Sequence, residues 1–170
     1  MFQFHAFGIV ALVATALCWS LAVVLYRVGA RGSAARKLAV LLGIARVTLI
    51  SAGYIDLMLT PAVRAHPLYQ RWFDAQFVVH TLGDCSMLAL YPPFLAAALG
   101  TKLTRPFADT RVRIGLAIGA ALLFVATLTT PVKFGASMLY VALALVFWFA
   151  FAASVQAWYQ AEGVARTRAR

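Results

Sequence analysis

Four ionisable side chains lie inside otherwise apolar stretches of this chain: Arg46, Asp56, His80 and Asp84. His80 and Asp84 belong to "VVHTLGDCSMLALYPP", residues 78–93, and are four positions apart. On a helix that spacing puts them on one face. There a carboxylate and an imidazole can hold a proton, orient a ligand or bind a cation. Met87 and Tyr91 continue the stripe, while Asp56 shares a mixed small and polar face with Ala45, Thr48 and Ala52. The segment ends in Pro92 and Pro93. A helix running through them leaves the carbonyls of Leu88 and Ala89 without their usual N–H donors.

Other chemistries are less well provided for. His5, His66 and His80, with Asp56, Asp74, Asp84, Met1, Met58 and Met138, fall toward one side in the topology derived below. Imidazole, thioether and carboxylate suit copper or nickel. No H-x₃-H pair occurs, however, and no second intramembrane histidine matches His80 as a haem ligand. A metal at His5, His66 and His80 is therefore an outside option, and the cofactor is unknown. No G-x-S-x-G, H-E-x-x-H, P-loop or G-x-G-x-x-G pattern is present. Cys85 follows Asp84 but projects about 100° away around a helix, with no histidine at i±3 or i±4 to activate it. No catalytic residue is assigned.

The elements that must position these groups follow from composition. Of 170 residues, 64% are hydrophobic and 12% charged, with mean hydropathy +0.86. A soluble domain is about half apolar and about a quarter charged. The expected fold is an all-α membrane protein: one transmembrane helical domain over residues 1–170, a compact five-helix bundle. A span takes about 20 mostly apolar residues, and five stretches qualify: 7–26, 38–60, 76–100, 113–130 and 137–158. The start "MFQFHAF" lacks the basic residues of a signal peptide, so the first stretch reads as a retained helix.

Charge sets the orientation. Eleven Lys and Arg fall in the first and third connections and the C-terminal tail, against three in the second and fourth connections. Cytoplasmic loops carry the positive excess. The N-terminus is expected outside and the C-terminus in the cytoplasm, in a bacterial inner membrane. The net charge of +10 is then explained without nucleic acid. Cys18 and Cys85 lie in apolar segments and read as small hydrophobes rather than a disulfide.

Helical rise gives depths. Asp56 comes out roughly 7–8 Å from the outer end near Pro61, with His80 about 6 Å and Asp84 about 12 Å below the outer end near Gln76. These three form the expected ligand- or proton-binding site. Arg46 and Tyr91 share a level roughly 22 Å down. Arg46, with its five donors, is expected to brace the third helix, kinked at Pro92 and Pro93, with Tyr91 beside it. Gly8, Ala11, Thr15, Cys18 and Ala22 form a small-residue seam on the first helix, and "GLAIG" (115–119), extended by Ala126, another on the fourth. Both are expected to pack within the chain. Phe147, Trp148, Phe149 and Phe151 project around the fifth helix toward lipid or a partner.

Three functional readings result. The favoured one is a non-enzymatic sensor or transport module with a polar small-ligand, proton or ion site on the second and third helices. Its alternatives are an accessory subunit of a larger membrane complex and a small membrane-embedded enzyme. The expected partners are the lipid bilayer and a membrane protein or a second copy of the chain.

Overall fold

The computed structural model describes residues 6–49 and 61–168, and within them the side chains of 9–10, 13–45, 61–131 and 134–161. The described residues are helical, with no strand among them. The helices are α1 (Ala6–Val28), α2 (Ala34–Leu49), the single turn α3 (Pro61–Arg64), α4 (Pro67–Leu99), α5 (Thr110–Thr129) and α6 (Val132–Arg168), with a 3₁₀ turn at Arg105–Ala108. The chain divides into two units, Met1–Met87 and Leu88–Arg170.

In the first unit, α1 stops where Gly29 closes its last turn, with the Gly29 N–H donating to the Leu25 carbonyl at 2.9 Å. A Cβ at Gly29 would stand 2.6 Å from that oxygen and 2.9 Å from Arg36 Cγ, so the turn admits no larger residue. Gly32, at φ +80°, then takes the left-handed conformation that glycine adopts without a steric penalty. Ser33 starts α2, its Oγ accepting from the Arg36 N–H at 3.3 Å. The Arg36 guanidinium lies 4.2 Å over the Tyr26 ring and ties the two helices at this end. α1 packs on α2. Thr15 and Ala22 of the expected seam are buried, as are Ala39 and Leu41 on α2. Gly8 and Ala11 fall outside the described side chains.

The connection expected over residues 61–75 is helical instead. Pro67 sits at the first position of α4, where its fixed φ suits a helix and its missing N–H costs nothing. The preceding His66 caps the helix, its Nδ1 accepting from the Leu68 N–H at 3.2 Å. A Gln70 to Asp74 hydrogen bond of 2.9 Å supports the next turn. Hydropathy marked only the apolar part of this element; its polar first turns are held by local bonds that an average does not register.

In the second unit, α4 continues through Pro92 and Pro93, both buried, to Leu99. Tyr91 stacks on Phe94 at 5.9 Å and meets the edge of Phe147 at 6.3 Å. Gly100, at φ +59°, ends the helix. Thr101 and Thr104 then knot the loop: the Thr101 N–H donates to Thr104 Oγ1 at 3.0 Å, and the Thr104 N–H to Thr101 Oγ1 at 3.3 Å. Both residues are fully buried. The Leu103 N–H donates to Gln156 Oε1 on α6 at 3.2 Å, and Phe107 packs on Phe149 with ring centres 5.0 Å apart. Asp109 caps α5, accepting from the Arg111 N–H at 2.7 Å.

α5 and α6 pack as a hairpin. At its turn, a Cβ on Gly135 would meet Thr127 O at 2.7 Å and Thr130 Oγ1 at 2.8 Å. The close approach lies here rather than at 115–119. Among the described residues a Cβ at Gly115 or Gly119 would meet nothing within 4 Å. Among the described residues the contact of α5 with α6 that Gly135 marks lies at the end nearest the turn, where Gly135 approaches Thr127 and Thr130.

Three helices are long and apolar enough to cross a membrane: Pro67–Leu99, Thr110–Thr129 and Phe134–Ala161. Only 28%, 11% and 17% of their apolar windows are buried, so their hydrophobic surface faces outward. Phe147, Trp148 and Phe151 are among the exposed side chains, whereas Phe149 packs on Phe107. Of the five expected spans, the second is described only as far as Leu49, and residues 50–60 lie outside the described set.

Two substitutions separate the two kinds of glycine. Gly135→Ala is expected to destabilise the protein by about 1–3 kcal/mol, the usual cost of overpacking. Gly119→Ala should change stability by no more than about 0.5 kcal/mol. Thermal unfolding in detergent measures both, and equal effects would contradict the assigned packing. Gln156→Leu removes the acceptor of the Leu103 N–H and should cost about 1 kcal/mol in the same assay.

Candidate functional site

In lipid, a polar side chain must find its partners within the protein. The hydroxyls on these helices do so by turning back on their own helix. Ser20 donates to the Ala16 carbonyl at 2.9 Å, Thr81 to Phe77 at 2.8 Å, Ser86 to Leu82 at 2.7 Å and Ser154 to Ala150 at 2.8 Å. These residues are thereby accounted for structurally. The histidine and carboxylate of α4 meet each other.

His80 Nε2 lies 3.2 Å from Asp84 Oδ2, with side chains 28% and 16% exposed. One helix holds both groups, so the contact needs no second element to set it: the i, i+4 spacing and a regular backbone suffice. Thr81 and Cys85, their neighbours in sequence, are buried. The pair can exist as neutral imidazole donating to carboxylate or as imidazolium against carboxylate. It can therefore hold a proton or present a carboxylate to a small cation.

The other expected site residues fare differently. Asp56 and His5 lie outside the described residues. Arg46 is on the α2 backbone, but its side chain is outside the described set, and the expected brace of the α4 carbonyls lies there with it. Tyr91 is engaged with Phe94 and Phe147, and Pro92 and Pro93 are buried within a continuous helix. His66 is exposed at the start of α4 and spends Nδ1 on capping. Among the described residues no group of three His, Cys, Asp or Glu side chains is placed to hold a metal ion.

One residue was missed. Gln76 is 8% exposed, and its Nε2 has no hydrogen-bond partner among the described residues. It stands four positions before His80, so Gln76, His80 and Asp84 repeat at i, i+4 and i+8. In the sequence it is an amide at the edge of the third apolar stretch, at the spacing that links the other two.

A double-mutant cycle tests the pair. His80→Leu and Asp84→Leu alone each leave a polar partner behind and should each destabilise by about 1–3 kcal/mol. The double variant should be more stable than the sum of the two losses implies. Strict additivity in detergent unfolding would mean that the two side chains do not interact.

No known protein family, curated protein or solved structure matches the chain, and the chemistry of the site rests on its own residues.

Proposed function

We propose that this chain is a non-enzymatic, five-span protein of a bacterial inner membrane, N-terminus outside and C-terminus cytoplasmic. In this reading it takes up a proton, or a small cation in its place, at an intramembrane site as part of sensing or transport. The observation that carries the proposal is the 3.2 Å contact between His80 Nε2 and Asp84 Oδ2 within an apolar helix. Neutral histidine with an ionised aspartate bears one negative charge, which a proton or a monovalent cation cancels. Ionisable groups within spanning segments are costly and serve ion or proton pathways in many membrane proteins. Asp56, expected at a similar depth, is proposed as a further carboxylate of the site.

A second reading, an accessory subunit, is favoured by one specific feature. Ala144, Phe147, Trp148 and Phe151 on α6 line an open apolar hollow, which suits a membrane-protein partner as well as lipid. A partner present in fixed stoichiometry after purification in mild detergent would favour that reading.

Infrared difference spectroscopy on proteoliposomes tests the first. A change of pH should produce carboxyl and imidazole bands in the parent protein that are lost in Asp84→Asn and His80→Gln. Adding sodium or potassium at fixed pH should perturb the same bands if a cation competes. Parent spectra with no band removed by either substitution would sink the proton reading.

A further inference from the structure

The connection from α4 to α5, in the second unit, carries four exposed cations: Lys102, Arg105, Arg111 and Arg113. Two carboxylates are near them by position in the chain. Asp109 caps α5 through the Arg111 N–H, and Glu162 lies just beyond the apolar part of α6. Arg166 and Arg168 follow Glu162 on the same helix, so this end of the unit stays cationic with both acids counted. The α1–α2 connection uses its charges differently. Arg36 and Lys37 are half-buried there, and Arg36 is spent on the Tyr26 ring.

The four cations stand on a fixed support. Thr101 and Thr104 bond to each other and are fully buried. The Leu103 N–H is tied to Gln156 Oε1 and Phe107 packs on Phe149, so the connection is seated along residues 149–156 of α6. In the membrane reading given above, that seat sets its depth. The apolar part of α6 ends at Ala161, about 7–8 Å beyond Gln156 along the helix. Trp158 and Tyr159 stand between the two, exposed and with ring centres 5.2 Å apart, as aromatic residues do at headgroup level. Lys and Arg side chains lay their stems on apolar surface and carry the charge outward, which brings these four into that layer.

The residues between the cations decide the kind of partner. Leu103, Val112 and Ile114 are exposed beside Lys102, Arg111 and Arg113. A soluble acidic protein matches the charges but not these apolar neighbours at the edge of a bilayer. A phospholipid matches both, with phosphate for the cations and acyl chain for the side chains between them. We propose that the α4–α5 connection is a docking platform for the headgroups of anionic phospholipids. Arg105, Arg111 and Arg113 engage phosphate oxygens, which guanidinium groups meet with paired hydrogen bonds. Lys102 adds attraction by charge alone. The proposal rests on the membrane reading and is independent of the His80–Asp84 site.

Native mass spectrometry of the full chain in mild detergent tests the assignment, with phosphatidylglycerol and phosphatidylcholine of the same acyl chains titrated in turn. The parent should bind phosphatidylglycerol more tightly by about fivefold or more, the increment that one cation at the surface supplies. Arg105→Gln/Arg111→Gln should abolish most of that preference. Arg27→Gln/Arg31→Gln removes two exposed cations from the α1–α2 connection and should leave the preference as in the parent. Equal binding of the two lipids by the parent would overturn the proposal without any variant. An equal loss in the two double variants would overturn it as well, because the preference would then follow net charge rather than the platform. Displacement of phosphatidylglycerol by inorganic phosphate at the same concentration, added as its ammonium salt, would overturn the commitment to a lipid. The readout is lipid preference rather than titration, so its failure is distinguishable from failure of the infrared comparison.

Discussion

The constraint on which this structure depends is that a buried polar group in an apolar surrounding must be met by a partner it can reach. The described helices answer it mostly by local means. Hydroxyls bond to their own helix at i−4, Asp109 and Ser33 cap helix starts, and Thr101 and Thr104 satisfy one another in a loop. Local solutions of this kind leave the outer surfaces apolar. That is why the three long helices bury so little of their apolar windows within the chain. A water-soluble protein would have to cover such faces. In a bilayer they are in their proper solvent, and packing between helices rests on close backbone approach instead.

Close approach occurs at particular glycines. Gly29 and Gly135 each leave room for a carbonyl oxygen where any Cβ would collide. Gly115 and Gly119, spaced as in familiar packing motifs, have open space before them among the described residues. Spacing alone did not distinguish the two cases. The difference depends on where α6 turns back on α5, and that is set by Thr130, Pro131 and the cap bonds of the turn rather than by the glycines.

The sequence made the helical, apolar character legible because hydropathy over about twenty residues integrates a strong signal. It also made the His80 and Asp84 contact legible, because an i, i+4 pair depends only on local helix geometry. What it read less well depended on local bonds or distant neighbours. The polar start of α4 does not stand out in the sequence because capping by His66 and the Gln70–Asp74 bond do not raise hydropathy. The contacts of the Tyr91 ring with Phe94 and Phe147 depend on packing that spacing does not indicate. Depth arithmetic places residues on a level but gives no azimuth, so it cannot decide which side chain of a level meets which.

Gln76 follows the same reasoning. An amide is uncharged, so a search for ionisable groups inside apolar segments passes over it, and at the edge of a span it reads as the place where lipid ends. Yet burial makes a neutral donor expensive for the same reason that it makes a charge expensive: the competing hydrogen bonds of water are lost. A site in lipid is therefore better sought as a run of polar groups, charged or not, that share a helical face and differ in whether the protein completes them. On α4 that criterion separates Thr81 and Ser86, which bond to backbone carbonyls, from Gln76, which does not. His80 and Asp84 meet each other on the same face.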